Sequence, residues 1–222
     1  MLNSWRQYRK IEQSEFILCA VDTASGGLDR TAAQFLSQTR IDVPLVYHSQ
    51  VTTADYIPKL AAILEKIYDI TKVKPVVAIE RQNGGSFLID RLAGINLSGK
   101  YDIFHMPTYG NIEVNDSVKL GWDTNSATRP KMLQELKDAI DKRVLTIYDK
   151  PTINEMFSFI VTQTSSSWKA QAEKGAHDDL VMSLAIAWQM YQLCQKPKSA
   201  QDYHRIMSQF PKSTVANKYG LY

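Results

Sequence analysis

Cysteine is scarce in this chain: Cys19 and Cys194 are the only two in 222 residues, each inside an apolar run (FILCAVD and WQMYQLC), with no CxxC or Cys/His cluster beside them. That excludes a disulfide framework and a cysteine-based zinc site. Both thiols read as small buried hydrophobes, and such usage suits a reducing cytoplasm. No apolar stretch reaches the length of a membrane span, roughly 18 residues. The opening MLNSWRQYRK lacks the apolar centre of a signal peptide. There is no GxxxxGK[ST] phosphate loop, which argues against ATP binding of that kind. Nor does one sign of charge dominate, since 26 Lys and Arg against 23 Asp and Glu leave +3. That balance is compatible with nucleic acid without demonstrating it. Internal repeats and low-complexity tracts are absent too.

What is present is an ordinary soluble composition, 44% hydrophobic and 22% charged, on a chain long enough for one domain with a real core. Phe16 to Val21 (FILCAV) is a continuous apolar run ending in Asp22, the pattern of a buried strand. Ala32 to Ser37 and Pro44 to Ser49 follow closely enough to pair with it antiparallel. From Ala54 to Ile70 the apolar period becomes helical. Val76 to Ile79 (VVAI) is a second buried strand, ending in Glu80. Strand, helix, buried strand implies a right-handed crossover to a parallel neighbour.

Further along, Ser86 to Leu92 reads as a short helix and Tyr101 to Met106 as a strand. The stretch from Pro107 to Arg129 is polar and turn-rich. Pro130 to about Lys142 reads as a helix, Val144 to Tyr148 as a strand, and Thr152 to Ile160 as helical. Ser165 to Trp168 interrupts, and a largely covered helix runs from Asp178 to about Gln195. The domain is thus expected over residues 15–195, after a linker at 1–14 and before a polar tail at 196–222.

Three acidic sites each stand at the edge of a strongly apolar element: Asp22, Glu80 and the Asp178-Asp179 pair. If the two strands are parallel neighbours, Asp22 and Glu80 share the carboxyl edge of the sheet, where open α/β sheets place ligands. Clustered carboxylates need a cation, a shared proton or separation. Hard divalent ions prefer oxygen donors. Two of them roughly 3.5–4 Å apart activate water and stabilise the leaving oxygen in phosphodiester cleavage. Plainer readings stand beside this one. Asp22 can form an Asx-turn, Glu80 can be a solvated strand end paired with Arg81, and Asp178 can be a helix N-cap with Asp179 favoured by the helix dipole.

The order of elements and acids resembles the ribonuclease-H-like nucleases: α/β, a mixed sheet of three antiparallel and then parallel strands, flanked by helices. Four motifs narrow this. AVDTASGG at 20–27, IERQNGG at 79–85, GWDT at 121–124 with TRPKML at 128–133, and GAHDDLVMSLA at 175–185 together resemble the nuclease domain of viral (tailed bacteriophage) DNA-packaging terminase large subunits, over roughly residues 15 to 195. The resemblance implies an endonuclease that cleaves concatemeric double-stranded DNA during packaging, with Asp22, Glu80, Asp178 and Asp179 as catalytic ligands of Mg2+ or Mn2+, two ions expected. It also implies that Asn83 shapes the loop beside Glu80 and that His177 assists a metal-bound water or phosphate, although His177 also reads as a turn residue before the helix. The segment from Lys119 to Arg129 would be a hairpin near DNA, or else a structural connection. Lys119, Arg129, Lys131 and Lys169 are candidate phosphate contacts, each of which, judged singly, reads first as an ordinary solvated cation.

Terminase large subunits also carry an N-terminal ATPase, which this chain lacks, so it reads as an excised domain. The portal and the small terminase subunit are its implied partners, the host cytoplasm at the assembling capsid is its place, and no membrane is involved. Other readings stay open: a resolvase or transposase of the same fold, an actin-like sugar or acetate kinase, or a non-catalytic DNA-binding or capsid-docking module.

Overall fold

The structure, a computed structural model, describes residues 4–23, 30–106, 120–163, 168–172 and 177–194, with backbone alone at 159–163 and 168–172. Its centre is a mixed sheet. β2 (Ile17–Asp22), β3 (Thr31–Ser37) and β4 (Asp42–Ser49) run antiparallel; β5 (Val76–Ile79) lies parallel to β2, and β6 (Asp102–Ile103) parallel to β5. With β1 (Trp5–Gln7) against β4, the order is β1-β4-β3-β2-β5-β6. This is the ribonuclease-H-like mixed sheet expected from the sequence.

Side chains alternate across a strand, and this alternation sorts the core into two layers. Ile17, Cys19, Val21, Val77 and Ile79 pack under α1 (Thr53–Thr71) and α2 (Gly85–Ile95), against Tyr56, Leu60, Leu64, Leu88 and Leu92. Phe16, Leu18, Ala20 and Ala78 face the opposite way, under α3 (Thr128–Asp141) and α5 (Asp179–Leu193). Every residue of α5 from Leu180 to Met190 is buried, as its all-round apolarity requires. By the same parity Asp22 and Glu80 point to the α5 side.

Four expectations are corrected. Trp5–Gln7, placed in a linker, is an edge strand paired with Leu45, Val46 and Tyr47. Arg6 and Arg9 fix it there: Arg6 Nε and Nη2 reach Asp149 at 2.5 and 3.0 Å, and Arg9 bridges Glu15 and Asp42. Val144 to Tyr148 is not a strand. It makes a single bridge, Thr146 to Asp42, because β1 occupies the rest of that sheet edge. The predicted strand over Tyr101 to Met106 is reduced to Asp102–Ile103, with one bridge from His105 to Leu120. Helix α4 (Lys150–Phe157) stops before Ile160, and β7 (Phe159–Gln163) pairs with β8 (Trp168–Ala172) as a hairpin. The run Phe-Ile-Val-Thr at 159–162 has strand-forming side chains, which accounts for the change.

Among the described residues no helix is long and apolar enough to cross a membrane. Cys19 is buried and Cys194 partly so, and neither is in a disulfide. The polar tail from 196 and Lys119 lie outside the described residues.

Candidate active site

Asp22 ends β2, and Glu80 follows β5 immediately. The parallel register pairs Val21 with Ile79, and the Glu80 N–H donates to the Val21 carbonyl at 2.9 Å. The two acids are therefore lateral neighbours on one sheet face. Both are nearly inaccessible, at 8% and 6% exposure. Burial pushes the Asp22 carboxyl well above its ordinary range. Glu80, by charge and by a shared hydrogen bond, pushes the same way, as do Asp179 and Asp178. Glu80 is thus no solvated strand end. Arg81 does not serve it either, donating instead to the Leu120 carbonyl at 3.0 Å.

The QNGG turn after Glu80 is shaped by steric necessity. Asn83 and Gly84 take left-handed backbone, φ 54 and 88, which these two residue types tolerate best. Gly85 then starts α2 against the Glu80 carbonyl; a Cβ there would lie 1.6 Å from that oxygen. The glycine is what lets the helix begin beside the acid.

The GWDT segment is a connection docked on the sheet, and the hairpin alternative for Lys119 to Arg129 fails over its described part. The Gly121 N–H donates to Phe104, the Trp122 N–H to Ile79, and the Trp122 carbonyl accepts from Arg81. Trp122 is buried beside Phe104, ring centroids 6.1 Å apart. Asn125 Oδ1 accepts from the Ala127 and Thr128 N–H groups, and the Thr128 hydroxyl donates to the Asp123 carbonyl. This turn starts α3 and brings Arg129 to the cleft.

At the head of α5, Asp178 makes no side-chain cap bond, so the N-cap reading fails. Its Oδ2 instead accepts from Arg129 Nη2 at 2.7 Å. Asp179 turns inward. Its Oδ2 is buried without a hydrogen-bond partner, and His48 Nε2 on β4, likewise buried and unpartnered, stands 3.9 Å away.

These groups open on one cleft of about 420 Å³, lined by Asp22, Glu80, Asn83, Arg129, His177, Asp178 and Asp179, with Thr23, Gln82, Thr124, Asn125, Ser126 and Met182. The four expected acids are therefore brought together. His177 is exposed at the cleft's edge. Lys131, on α3, is not among the lining residues; it is exposed and 3.9 Å from Glu135. Lys169 lies on β8, where only backbone is described. Lys119 is outside the described residues.

The donor set suits a hard cation: carboxylate oxygens from the neighbouring Asp22 and Glu80, and a buried oxygen on Asp179 with nothing to accept. Among the described residues, no three His, Cys, Asp or Glu side chains stand together closely enough to hold a metal ion by themselves. The acids surround an open cleft, which leaves room for phosphate and water oxygens. Magnesium commonly takes these beside one or two carboxylates.

Sequence reading missed Gln82, whose side-chain amide donates to the Thr124 carbonyl while its own carbonyl accepts from the Thr23 hydroxyl at 3.2 Å. It missed His48 as well, and Glu155 on α4. Glu155 Oε1 accepts the Val181 N–H at 2.8 Å. Burial pushes its carboxyl up to about 8; the Val181 and Leu180 amides oppose the rise, and Asp179 and Asp178 add to it. Only proximity in QNGG and the polar segment 120–129 hinted at the first of these; nothing local marked the other two.

No family model matches the chain. Solved structures do resemble it. The large terminase nuclease of thermophilic phage G20c with bound magnesium superposes with a TM-score of 0.63 at 17% identity, covering 85% of this chain and 88% of that one. The nuclease domain of the Thermus phage P74-26 large terminase gives 0.58 at 17%, covering 86% and 87%. A longer large terminase, from another thermophilic bacteriophage, gives 0.52 at 16%, covering 79% of this chain but 40% of that one. The chain thus has the fold of large terminase nuclease domains, with its four acids gathered at one cleft of that fold.

Proposed function

We propose that this chain is the endonuclease domain of a viral DNA-packaging terminase and hydrolyses phosphodiester bonds of concatemeric double-stranded DNA. The observation that carries the reading is the convergence of Asp22, Glu80, Asp178 and Asp179, from two parallel strands and a helix, on one cleft with Arg129. The G20c nuclease with bound magnesium supports it by likeness of fold.

Asp22 and Glu80, with Asp179 and Asp178, would hold Mg2+ or Mn2+, two ions in the working complex. When bound, the metal supplies water activation and stabilisation of the leaving oxygen. The chain's own residues do the rest. Asp22 and Glu80, buried side by side at the ends of parallel strands, would present their carboxylates to the ion from one sheet face. Arg129 presents positive charge to the phosphate at the cleft mouth, and Lys119, Lys131 and Lys169 extend the contact along the backbone. His177 holds or moves a proton at the phosphate or water, and the Asn83 turn keeps Glu80 in place. Double-stranded DNA is the substrate. An N-terminal ATPase domain, the portal and the small terminase subunit are partners, and the host cytoplasm at the assembling capsid is the place of action.

Plasmid nicking with Mg2+ or Mn2+, by the wild type and by Asp22→Asn, tests this. Metal-dependent cleavage lost in Asp22→Asn is expected. Full cleavage by Asp22→Asn would remove Asp22 from its role, and DNA binding without cleavage would favour a non-catalytic module. Preference for branched DNA or transposon ends would move the chain to a resolvase or transposase.

A further inference from the structure

A helix needs acceptors for its first N–H groups, normally supplied by its own N-cap side chain to the second or third helical residue. In α5 those residues are Leu180 and Val181, and Asp178, at the N-cap position, does not serve them. Glu155 does so from another helix: its Oε1 accepts from Val181 at 2.8 Å, and the Leu180 amide beside it helps to draw its carboxyl down. An aspartate at the N-cap position ordinarily folds back onto its own helix. Here that place is taken, and Asp178 points instead to Arg129 and the cleft.

The placement of Glu155 is itself built. Asp149, fully buried, caps α4 by accepting from the Thr152 N–H at 2.9 Å and its hydroxyl at 2.6 Å. Gln34 on β3 donates to the Thr152 hydroxyl at 2.9 Å and to the Leu180 carbonyl at 3.3 Å. The two helices are thereby bound through one sheet residue, and α4 delivers Glu155 to the head of α5.

We propose that Glu155 is a positioning residue for the metal-binding acids: by capping α5 from outside, it frees the Asp178 carboxylate to face the cleft and holds the turn that carries Asp179. The assignment rests on the nuclease reading for what the acids bind, but not for the cap. Partners that orient metal ligands typically cost about 10- to 100-fold in metal affinity or activity when removed.

The test uses the full chain with Glu155→Gln, which keeps an acceptor oxygen, and Glu155→Leu, which has none. Leu64→Ala, in the core under α1 on the far face of the sheet, is the destabilised control. Amide hydrogen exchange at Leu180 and Val181 is read without metal, and Mn2+ affinity by titration with the metal alone. Glu155→Leu is expected to lose protection at those two amides and to bind Mn2+ about 10- to 100-fold more weakly. Glu155→Gln should stay close to wild type on both readouts. Leu64→Ala should lower the melting temperature without moving Mn2+ affinity. If Glu155→Leu does not fold, Glu155→Asp, one carbon too short to reach, takes its place. Unchanged protection, or wild-type Mn2+ affinity in the variant that lacks the acceptor, would overturn the proposal. If the wild type binds no Mn2+, the nuclease reading fails, while amide exchange still decides whether Glu155 holds the turn.

Discussion

Arg129 Nη2 lies 2.7 Å from Asp178 Oδ2, joining the first turn of α3 to the head of α5 across the cleft mouth. Both side chains are about a third exposed, and such a pair is worth only about 0–1 kcal/mol. Its value lies in where it holds a cation. Arg129→Ala should therefore change stability by no more than about 1 kcal/mol, while DNA binding weakens for every sequence. The salt dependence of that binding should drop by about one counterion, measured by fluorescence anisotropy across a salt series. An unchanged slope would mean that Arg129 does not face a phosphate.

Asp22 illustrates stability traded for a site. Its carboxyl is buried, beside Glu80, and raised by both. Asp22→Asn removes a charge that the fold holds at a cost. The metal-free variant should melt a few degrees higher at pH 8, on the order of 1 kcal/mol. Added Mg2+ should raise the melting temperature of the wild type, since a ligand bound to the folded state stabilises it, and leave Asp22→Asn nearly unmoved. Scanning calorimetry with and without the ion checks both halves.

Two glycines of α2 should behave oppositely. A Cβ at Gly85 would overlap the Glu80 carbonyl, whereas a Cβ at Gly94 meets nothing within 4 Å. Gly85→Ala should cost about 3 kcal/mol or more, in line with severe core overpacking, and displace Glu80. Gly94→Ala should stabilise by about 0.4–1 kcal/mol. Urea denaturation of the two proteins measures the contrast.

Acid should loosen the first strand. Burial alone would raise the Asp149 carboxyl, but Arg6, Thr152 and Tyr8 outweigh it, and it lies below its ordinary value. Glu15 is likewise lowered, burial being outweighed by Arg9 and Ser37. A lowered carboxyl adds stability that is fully present above its unfolded value and is lost as pH falls through the folded one. Stability from this source should be level at neutral pH and decline below about pH 4. Arg9→Leu, which takes from buried Glu15 and Asp42 their nearest cation, should cost about 3 kcal/mol at pH 7, and the gap from wild type should close on acidification. A gap of constant size from pH 7 to 3 would contradict it.

The strands under the site were legible because their signals are local. FILCAV and VVAI are continuous apolar runs, and each carries its acid at the next residue. Parallel pairing then had to place Asp22 beside Glu80. Position 178–179 was legible as the start of an apolar helix, but what its side chains do was not. The N-cap reading of Asp178 failed because the acceptor comes from Glu155, 26 residues away from Val181 and on another helix. Trp5–Gln7 was missed for a similar reason: three residues carry no period, and only Asp149, far along the chain, makes Arg6 structural. Val144 to Tyr148 has strand composition, yet most of the edge it would join is taken by β1.

Anyone wishing to trim, tag or fuse this domain inherits a rule from that edge strand. Cutting back to Phe16, where the obvious sheet begins, discards the guanidiniums of Arg6 and Arg9 and strands Asp149 and Asp42 in the interior with their counter-charges gone. A serviceable left-hand boundary falls ahead of Trp5, and a neighbour spliced on there pulls on a ribbon stitched to the same helix that carries Glu155.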